Sequence, residues 1–374
     1  MITDVLHVSS GMNEDGGGTA HLGRLIGAAL RRHCARHRLA FRGLHLPALD
    51  GSVATDGYRS FAGSRSGLAA AVLARLTFSR RRTALYFDHV GPARALALVP
   101  RSRLPRYAIQ LHGIEIWREL SPDRQRVLEN ATFLVANSAY TAARAEEYLP
   151  ARHRMRIVLL GIEPAVLVGP FDREILAAAG AGYTLIVGRT AGKDRYKGHD
   201  ELLEVWPDVR RRLPGARLVV AGSGSDLARL RAKASSLGLA CGEGSGSACD
   251  AAVFFTGQID PATLGELYRR AALFAMPSLL EGFGLVYAEA MAAGKPCLAL
   301  RATAPAEIIV DGETGRLVAQ DDPTALGDAL VDLLGHPEQA RAMGAAGRRR
   351  YERDFTAQAF ERRFLPVVEE LVGG

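Results

Sequence analysis

The chain has 374 residues, of which 48% are hydrophobic and 23% charged, so it holds enough apolar material for a folded core and does not have the composition of a disordered protein. A chain of this length is too long for one ordinary hydrophobic core, which favours two domains. The formal net charge of +7 favours anionic partners such as nucleic acid, acidic lipid or phosphorylated small molecules, although it equally serves solubility.

The cysteines and the apolar runs exclude several further classes. The four cysteines form no C-x-x-C pair, which argues against a zinc site or a disulfide framework. No apolar stretch reaches the roughly 18 residues of a membrane span, and the first residues, MITDVLHVSS, are typical of a strand and not of a signal peptide. We therefore expect a cytoplasmic protein whose contact with a membrane, if there is one, is peripheral.

Short apolar runs alternate with helical stretches along the chain, which predicts an α/β fold with mostly parallel sheets covered on both faces. In the first half the strand-like runs are Asp4–Ser10, Leu39–Leu46, Ala84–Phe87, Tyr107–Leu111, Phe133–Asn137 and Arg156–Leu160. The stretch 161–182 shows no clear period, and the alternation restarts at Tyr183 with the runs YTLIVGR, ARLVVAGSG, AVFFTG, LFAMPS, PCLAL and GRLV.

This pattern predicts a first domain over 1–165, a linker over 166–182, a second domain over 183–355 and a final helix over 356–374. The low-complexity stretch CGEGSGSACD, Cys241–Asp250, is expected to be a loop. Ligands of doubly wound sheets bind at the carboxyl ends of the strands, so the residues that follow each run are the candidates for function.

Two candidates follow strands of the first domain. Gly16 and Gly17 lie in a glycine triplet before the first helix, where backbone N–H groups could approach a phosphate, but the triplet matches neither a dinucleotide nor a Walker motif and equally suits a flexible turn. His112, in LHGIEIW, directly follows a predicted strand and has Glu115 nearby. A lone histidine is more often structural than catalytic, but the position of His112 at a strand end strengthens the catalytic interpretation.

Two further candidates follow strands of the second domain. In VGRTAGKDRYKGHD, the cations Arg189, Lys193 and Lys197 lie between a strand and a helix, where they suit a diphosphate or form a solvated cluster. In PSLLEGFGLVYAEAMAAGKP, Glu281 and Glu289 are separated by seven residues and flank a glycine turn at a helix N-terminus. Carboxylates repel phosphate but accept hydrogen bonds from vicinal hydroxyls, so a diphosphate flanked by two polyols, a nucleotide sugar, fits both features.

At this combination the sequence resembles the family-4 retaining glycosyltransferases of the GT-B fold. The resemblance is carried by the glycine loop, HGIE, VANSAYTA, YKGHDELL, VVAGSGSD, FFTGQID, DGETGRLV and above all the glutamate pair with its glycine turn. It implies two Rossmann-like parallel-sheet domains facing across a cleft, with the last helix returning to the first domain. It also implies transfer of a hexosyl unit from a GDP- or UDP-sugar to a glycan, lipid-linked or small-molecule acceptor.

The resemblance assigns a role to each candidate. Glu289 is the expected ribose acceptor and Glu281 a contact of the sugar hydroxyls, while Arg189 and Lys197 are expected to neutralise the leaving diphosphate. His112 is expected to order the reacting centre. The remaining donor-binding residues are expected to be Gly16, Gly17, Gly188, Lys193, Gly222, Ile259 at the base, and the backbone of Gly282, Phe283, Gly284 and Leu285.

The mechanism implied by the resemblance is front-face transfer without a covalent nucleophile. The chain contains no Asp-x-Asp, which argues against a metal-dependent donor site, and no cofactor is expected. Two stretches depart from the family pattern. RATAPAEII, Arg301–Ile309, stands where a Gly-Gly pair is usual, and the arginine–lysine loop is long, so that Lys193 and Lys197 can exchange roles.

A membrane surface is a further candidate partner. Ser64–Arg82 alternates apolar residues with arginines, and Pro100–Arg106 adds basic residues, which suits docking on anionic lipid or an ordinary surface helix. The competing functions are a nucleotide-sugar epimerase or phosphorylase-like enzyme and a non-catalytic partner subunit. Nucleic-acid binding is disfavoured because aromatic residues make up only 7% of the chain and the arginines are scattered.

Overall fold

A computed structural model describes residues 2–12, 17–48, 57–78, 82–149, 155–163, 170–243 and 251–373. The contacts divide the chain into two compact units, one formed by Met1–Gly161 with Ala357–Gly374 and the other by Ile162–Thr356. Gly16 and most of the predicted loop Cys241–Asp250 lie outside the described residues.

Unit 1 contains a parallel sheet whose described strands follow the order β3-β2-β1-β4-β5-β6-β7. The strands are β1 Asp4–Ser9, β2 Ala40–His45, β3 Tyr58–Ser60, β4 Thr83–Phe87, β5 Tyr107–Leu111, β6 Phe133–Ala136 and β7 Met155–Ile157. The helices are α1 Gly17–His37, α2 Arg65–Phe78, α3 Val90–Ala93, α4 Pro122–Glu129, α5 Ala139–Glu146 and, from the end of the chain, α13 Ala357–Gly373.

The core of unit 1 forms because its central strands are nearly continuous apolar runs. Every residue of β1, β4, β5 and β6 is buried, as expected for a parallel sheet covered on both faces. The apolar residues Phe360, Phe364, Val367, Val368 and Leu371 lie along one stripe of the last helix and are all buried. An ion pair of 2.7 Å between Arg156 and Glu370 ties α13 to β7.

Unit 2 contains a second parallel sheet whose described strands follow the order β10-β11-β9-β8-β12-β13-β14. The strands are β8 Thr184–Val187, β9 Leu218–Ala221, β10 Cys241–Glu243, β11 Val253–Gly257, β12 Leu273–Ala275, β13 Cys297–Leu300 and β14 Gly315–Val318. The helices are α6 Arg173–Ala179, α7 His199–Arg212, α8 Leu227–Ser236, α9 Pro261–Arg270, α10 Leu285–Ala292, α11 Pro323–Gly335 and α12 Pro337–Asp354.

Two stretches that the sequence predicts to be a linker and a loop contain regular structure. The expected linker contains helix α6, which Asp172 caps by accepting hydrogen bonds from the N–H groups of Glu174 and Ile175 and which packs on α9. Its seven residues include the unbroken apolar run ILAAA, which gives no helical period to detect. The expected loop begins with the short edge strand Cys241–Glu243, which pairs with β11.

In each sheet the strand order reverses at one point, and a ligand-binding site is expected there. In unit 1 the reversal falls between β1 and β4, and in unit 2 it falls between β8 and β12. Loops leave the carboxyl ends of these neighbouring strands in opposite directions, which opens a crevice for a ligand. No helix in the described part of the chain is long and apolar enough to cross a membrane.

Candidate functional site

The crevice of unit 2 brings together the arginine–lysine loop after β8 and the glycine turn after β12. Lys197 ends the 3-10 helix Gly192–Lys197, and its Nζ lies 3.5 Å from Oε2 of Glu281. The two side chains are only 16% and 18% exposed. Residues 84 positions apart therefore form a shielded ion pair at the carboxyl edge of the sheet.

Arg189 is held beside this pair by an acid that the sequence analysis did not single out. Its Nε lies 3.3 Å from Oδ2 of the buried Asp194, whose Oδ1 accepts a hydrogen bond of 3.1 Å from the hydroxyl of Tyr196. The Arg189 side chain nevertheless stays 67% exposed, so its charge is available to an anion. Lys193 is exposed on the same 3-10 helix, which favours Lys197 over Lys193 as the inward cation.

Helix α10 begins with a glycine for a steric reason. Gly284 is its N-cap with φ of 94°, and a Cβ there would lie 2.5 Å from the ring of Tyr287. Because Gly284 has no side chain, it cannot cap the first turn, and N–H groups there remain for an anion. Phe283 is buried against Phe355, with ring centroids 6.1 Å apart, so only its backbone can contact a ligand.

Glu289 follows one turn further along α10 and forms part of a cavity wall. Its Oε2 accepts a hydrogen bond of 2.8 Å from the hydroxyl of Tyr268. Burial raises the pKa of Glu289, while the bond from Tyr268 acts in the opposite direction. The cavity has a volume of about 510 Å³ and is lined mainly by α9 and α10, including Pro261 and Leu264. Ile259, expected to touch a base, is half-buried just before this wall.

Two predicted donor-site glycines contact each other. Gly222 has φ of 141°, and a Cβ there would lie 2.0 Å from the carbonyl oxygen of Gly188. Close backbone packing at this strand end therefore explains Gly222 without a ligand. Gly188 itself lies next to the methylene chain of Lys197, 3.0 Å from where a Cβ would stand.

His112 lies at the crevice of unit 1 and is fixed at three points. Its Nε2 lies 2.6 Å from the carbonyl oxygen of Asp88, its N–H donates to Glu115 at 2.6 Å, and its carbonyl accepts from Asn137 at 3.0 Å. Because a carbonyl cannot donate, Nε2 must carry the proton, which makes Nδ1 the acceptor of the neutral ring. Gly17 begins α1 with φ of 65°, as the expected glycine turn requires.

Asp88 is a buried acid that sequence reasoning missed. It directly follows β4 and is 0% exposed, and its carboxylate accepts hydrogen bonds from the Ser9 hydroxyl at 2.6 Å and from the Ser10 N–H at 2.7 Å. Burial raises the pKa of Asp88 to about 6, with the serine hydrogen bonds opposing that shift. An aspartate directly after the buried run TALYF was the signal available in the sequence.

The described part of the predicted membrane segment forms helix α2, and Arg80 and Arg81 of its basic end lie outside the described residues. Arg75 of α2 turns inward and lies 2.5 Å from the buried carboxylate of Asp4. The exposed residues of α2 include Ala70, Ala74 and Phe78 at four-residue spacing, together with Arg65, Ser66 and Thr77. In the described ranges no group of three or more histidine, cysteine, aspartate or glutamate side chains is placed to hold a metal ion.

Residues 171–350 match the glycosyl transferases group 1 family. A GDP-mannose-dependent alpha-(1-6)-phosphatidylinositol monomannoside mannosyltransferase from Mycolicibacterium smegmatis is 32% identical over 283 residues, 71% of this chain and 70% of the relative. A D-inositol 3-phosphate glycosyltransferase from Segniliparus rotundus is 34% identical over 223 residues, 57% of this chain and 47% of the relative.

Solved structures show the same fold. Sucrose-phosphate synthase from Thermosynechococcus elongatus superposes with a TM-score of 0.76 at 21% identity, covering 99% of both chains. Anabaena HepE in complex with UDP-glucose superposes with a TM-score of 0.73 at 15% identity, covering 98% of this chain and 99% of that one. The two parallel-sheet units thus define a GT-B protein.

The chain belongs to the glycosyl transferases group 1 family. As a member it is a retaining glycosyltransferase that uses a nucleotide-sugar donor, which confirms the fold class and the activity that the family resemblance implies.

Proposed function

We propose that unit 2 binds the nucleotide-sugar donor along helix α10, with the diphosphate at its N-terminus. The observation that carries this proposal is the placement of Glu281 and Glu289 on either side of that N-terminus. Glu281 pairs with Lys197 at 3.5 Å, and Glu289 lines the cavity of about 510 Å³. A nucleoside suits a cavity of this size, and Glu289 would accept hydrogen bonds from its ribose hydroxyls.

The chemistry requires a cation for the charge that develops on the departing diphosphate. Lys197 and Arg189 would supply it without a metal, since both lie at the carboxyl edge of the sheet and Arg189 keeps most of its side chain in solvent. Glu281 would then be released to hold a hydroxyl of the sugar. His112 would act in the transfer step, with its Nδ1 as an acceptor, because Nε2 is committed to the Asp88 carbonyl.

The names of two relatives support a proposal for the substrate class. The mannosyltransferase from M. smegmatis is GDP-mannose-dependent and acts on a phosphatidylinositol monomannoside, while the S. rotundus relative is a D-inositol 3-phosphate glycosyltransferase. Both acceptors contain an inositol ring that carries a phosphate. We infer that this chain transfers mannose from GDP-mannose to an inositol-containing acceptor in glycolipid synthesis.

A lipid-linked acceptor would require unit 1 to reach a membrane surface. Phe78 and Leu98 are 83% and 76% exposed, the highest values among the large hydrophobic residues that the structure describes. They end α2 and the 3-10 helix Arg94–Leu98, two elements that contact each other. The exposed Arg101 and Arg103 follow closely, so this surface combines apolar and cationic groups, as binding to anionic lipid requires.

The test is a transfer assay with the full chain, purified and incubated with GDP-mannose or UDP-glucose and vesicles that contain phosphatidylinositol. We expect a mannosylated lipid with an α-linkage, detected by mass spectrometry and nuclear magnetic resonance, together with release of GDP. Conversion of the donor into an epimeric nucleotide sugar without release of GDP would instead identify an epimerase. Release of UDP alone would overturn the choice of GDP-mannose.

A further inference from the structure

Asp88 joins the two strands between which the sheet of unit 1 reverses its order. Its backbone follows β4, and its carboxylate reaches the end of β1, where one oxygen accepts the Ser9 hydroxyl at 2.6 Å and the other the Ser10 N–H at 2.7 Å. The side chain is 0% exposed. A ligand therefore cannot contact this carboxylate, and any role in the reaction must pass through its neighbours.

The first neighbour is the backbone that leaves β1. The Ser9 hydroxyl that donates to Asp88 also accepts the N–H of Gly11 at 3.2 Å, so the carboxylate fixes three consecutive residues, Ser9 to Gly11. The space around the carboxylate is full. A Cβ at Gly23 of helix α1 would lie 2.9 Å from Asp88 Oδ2 and equally close to the Gly11 carbonyl. This arrangement leaves Ser9, Ser10 and Gly11 little freedom to shift.

The second neighbour is His112. The carbonyl of Asp88 lies 2.6 Å from Nε2 of His112, and the imidazole ring follows β5, the next strand of the sheet. Asp88, whose side chain is anchored to the end of β1, therefore orients the His112 ring and sets the tautomer of His112 through the Asp88 backbone carbonyl. If the Asp88 carbonyl moved, the His112 ring would no longer be held in the tautomer that leaves Nδ1 as the acceptor.

We propose that Asp88, held in place by Ser9 and Ser10, is a positioning residue for glycosyl transfer that acts through His112. This inference rests on the proposed function, because it assigns a purpose to the orientation of His112. A carboxylate that stabilised only the fold would lower the thermal midpoint and would affect donor binding and turnover alike. A positioning residue lowers turnover selectively, and its effect depends on the presence of His112.

The kinetic test uses Asp88→Asn, which keeps the shape of the side chain but replaces one acceptor by a donor. We expect kcat to fall at least tenfold, with KM for GDP-mannose and the affinity for GDP changed less than about twofold. In the His112→Ala background the same substitution should cost less than about twofold. Asp123→Asn, an exposed carboxylate of the same unit that pairs with Arg94, is the matched control and should leave kcat unchanged.

A second readout does not require activity. Carbethoxylation of His112 by diethyl pyrocarbonate, followed by mass spectrometry, should proceed at least threefold faster in Asp88→Asn and in Ser9→Ala than in the wild-type chain or Asp123→Asn. Ser9→Ala serves if Asp88→Asn folds poorly. Unchanged His112 reactivity, or losses in kcat that multiply with those of His112→Ala, would overturn the proposal. A wild-type chain without transfer would instead refute the proposed function, while His112 reactivity would still test the role of Asp88.

Discussion

Lys197 and Glu281 form an ion pair of 3.5 Å in which both side chains are largely shielded from water. The pair joins the loop after β8 to the turn after β12, across the point where the strand order of unit 2 reverses. Each member would neutralise the other until a donor arrives. A bound diphosphate would pair with Lys197 in place of Glu281, and the Glu281 carboxylate would then accept a hydrogen bond from a sugar hydroxyl. Both charged groups would therefore have a partner with and without the donor.

Replacement of Lys197 by methionine should lower kcat about 100-fold, because loss of one group that stabilises developing negative charge typically costs this much or more. The matched control is Lys193→Met, which removes an exposed cation from the same 3-10 helix and should change kcat less than about threefold. Steady-state kinetics with GDP-mannose measure both. A larger loss from Lys193→Met would mean that the two lysines exchange roles.

Gly222→Ala should destabilise unit 2 by about 2 kcal/mol, because φ of 141° disfavours a side chain and the new Cβ would meet the Gly188 carbonyl at 2.0 Å. Gly335→Ala is the control, since it lies at the end of α11 and nothing lies within 4 Å of its added Cβ. Thermal unfolding followed by circular dichroism compares the two. Equal midpoints would contradict the packing explanation for Gly222.

Asp88 should make stability depend on pH in a predictable direction. Its native pKa is raised from 3.8 to about 6, so between these values the native state binds more protons than the unfolded state. The free energy of unfolding therefore falls as pH rises through this window, by up to about 3 kcal/mol for a shift of this size. His112, Tyr58 and Tyr86 are the titratable groups whose charges couple to Asp88.

Urea unfolding of the wild-type chain and of Asp88→Asn, measured from pH 4 to pH 7, isolates this contribution. The wild-type chain should lose stability relative to the variant as pH rises, since asparagine does not ionise. A difference between the two free energies of unfolding that stays constant with pH would show that Asp88 titrates normally in the native state.

Phe78→Ser with Leu98→Ser should reduce binding to vesicles that contain phosphatidylinositol by at least about tenfold, because burial of one large apolar side chain contributes roughly 1.5–3 kcal/mol. Flotation of the full chain with vesicles measures the bound fraction. Ile157→Ser is the control, since Ile157 is also 50% exposed but lies on β7. Equal losses from the control, or binding insensitive to both changes, would remove the membrane surface.

The parallel sheets were predictable because their central strands are buried on both faces and read as unbroken apolar runs. Helix α6 was not predicted, because its apolar run ILAAA has no polar positions that would show a helical period. The edge strands β3 and β10 have the sequences YRS and CGE, so no apolar run marks them.

The candidate site was predictable to the extent that its residues are polar groups after strands. Glu281, Glu289, Arg189 and Lys197 stand out in the sequence, and their motif carries the family resemblance. Pairings between distant segments could not be read in the same way. The contact between Tyr268 and Glu289, like that between Asp88 and Ser9, depends on which strands become neighbours, and a single sequence does not show this order.

The most direct measurement of the donor site is calorimetric titration of GDP into the wild-type chain and into Glu289→Gln. Loss of a carboxylate that accepts two ribose hydroxyls should weaken binding about 100-fold, because hydrogen bonds to a charged group contribute roughly 1.5–3 kcal/mol each. Glu338→Gln, an exposed acid on α12, is the control and should bind GDP like the wild type. Wild-type affinity in Glu289→Gln would contradict the assignment of this glutamate to the donor.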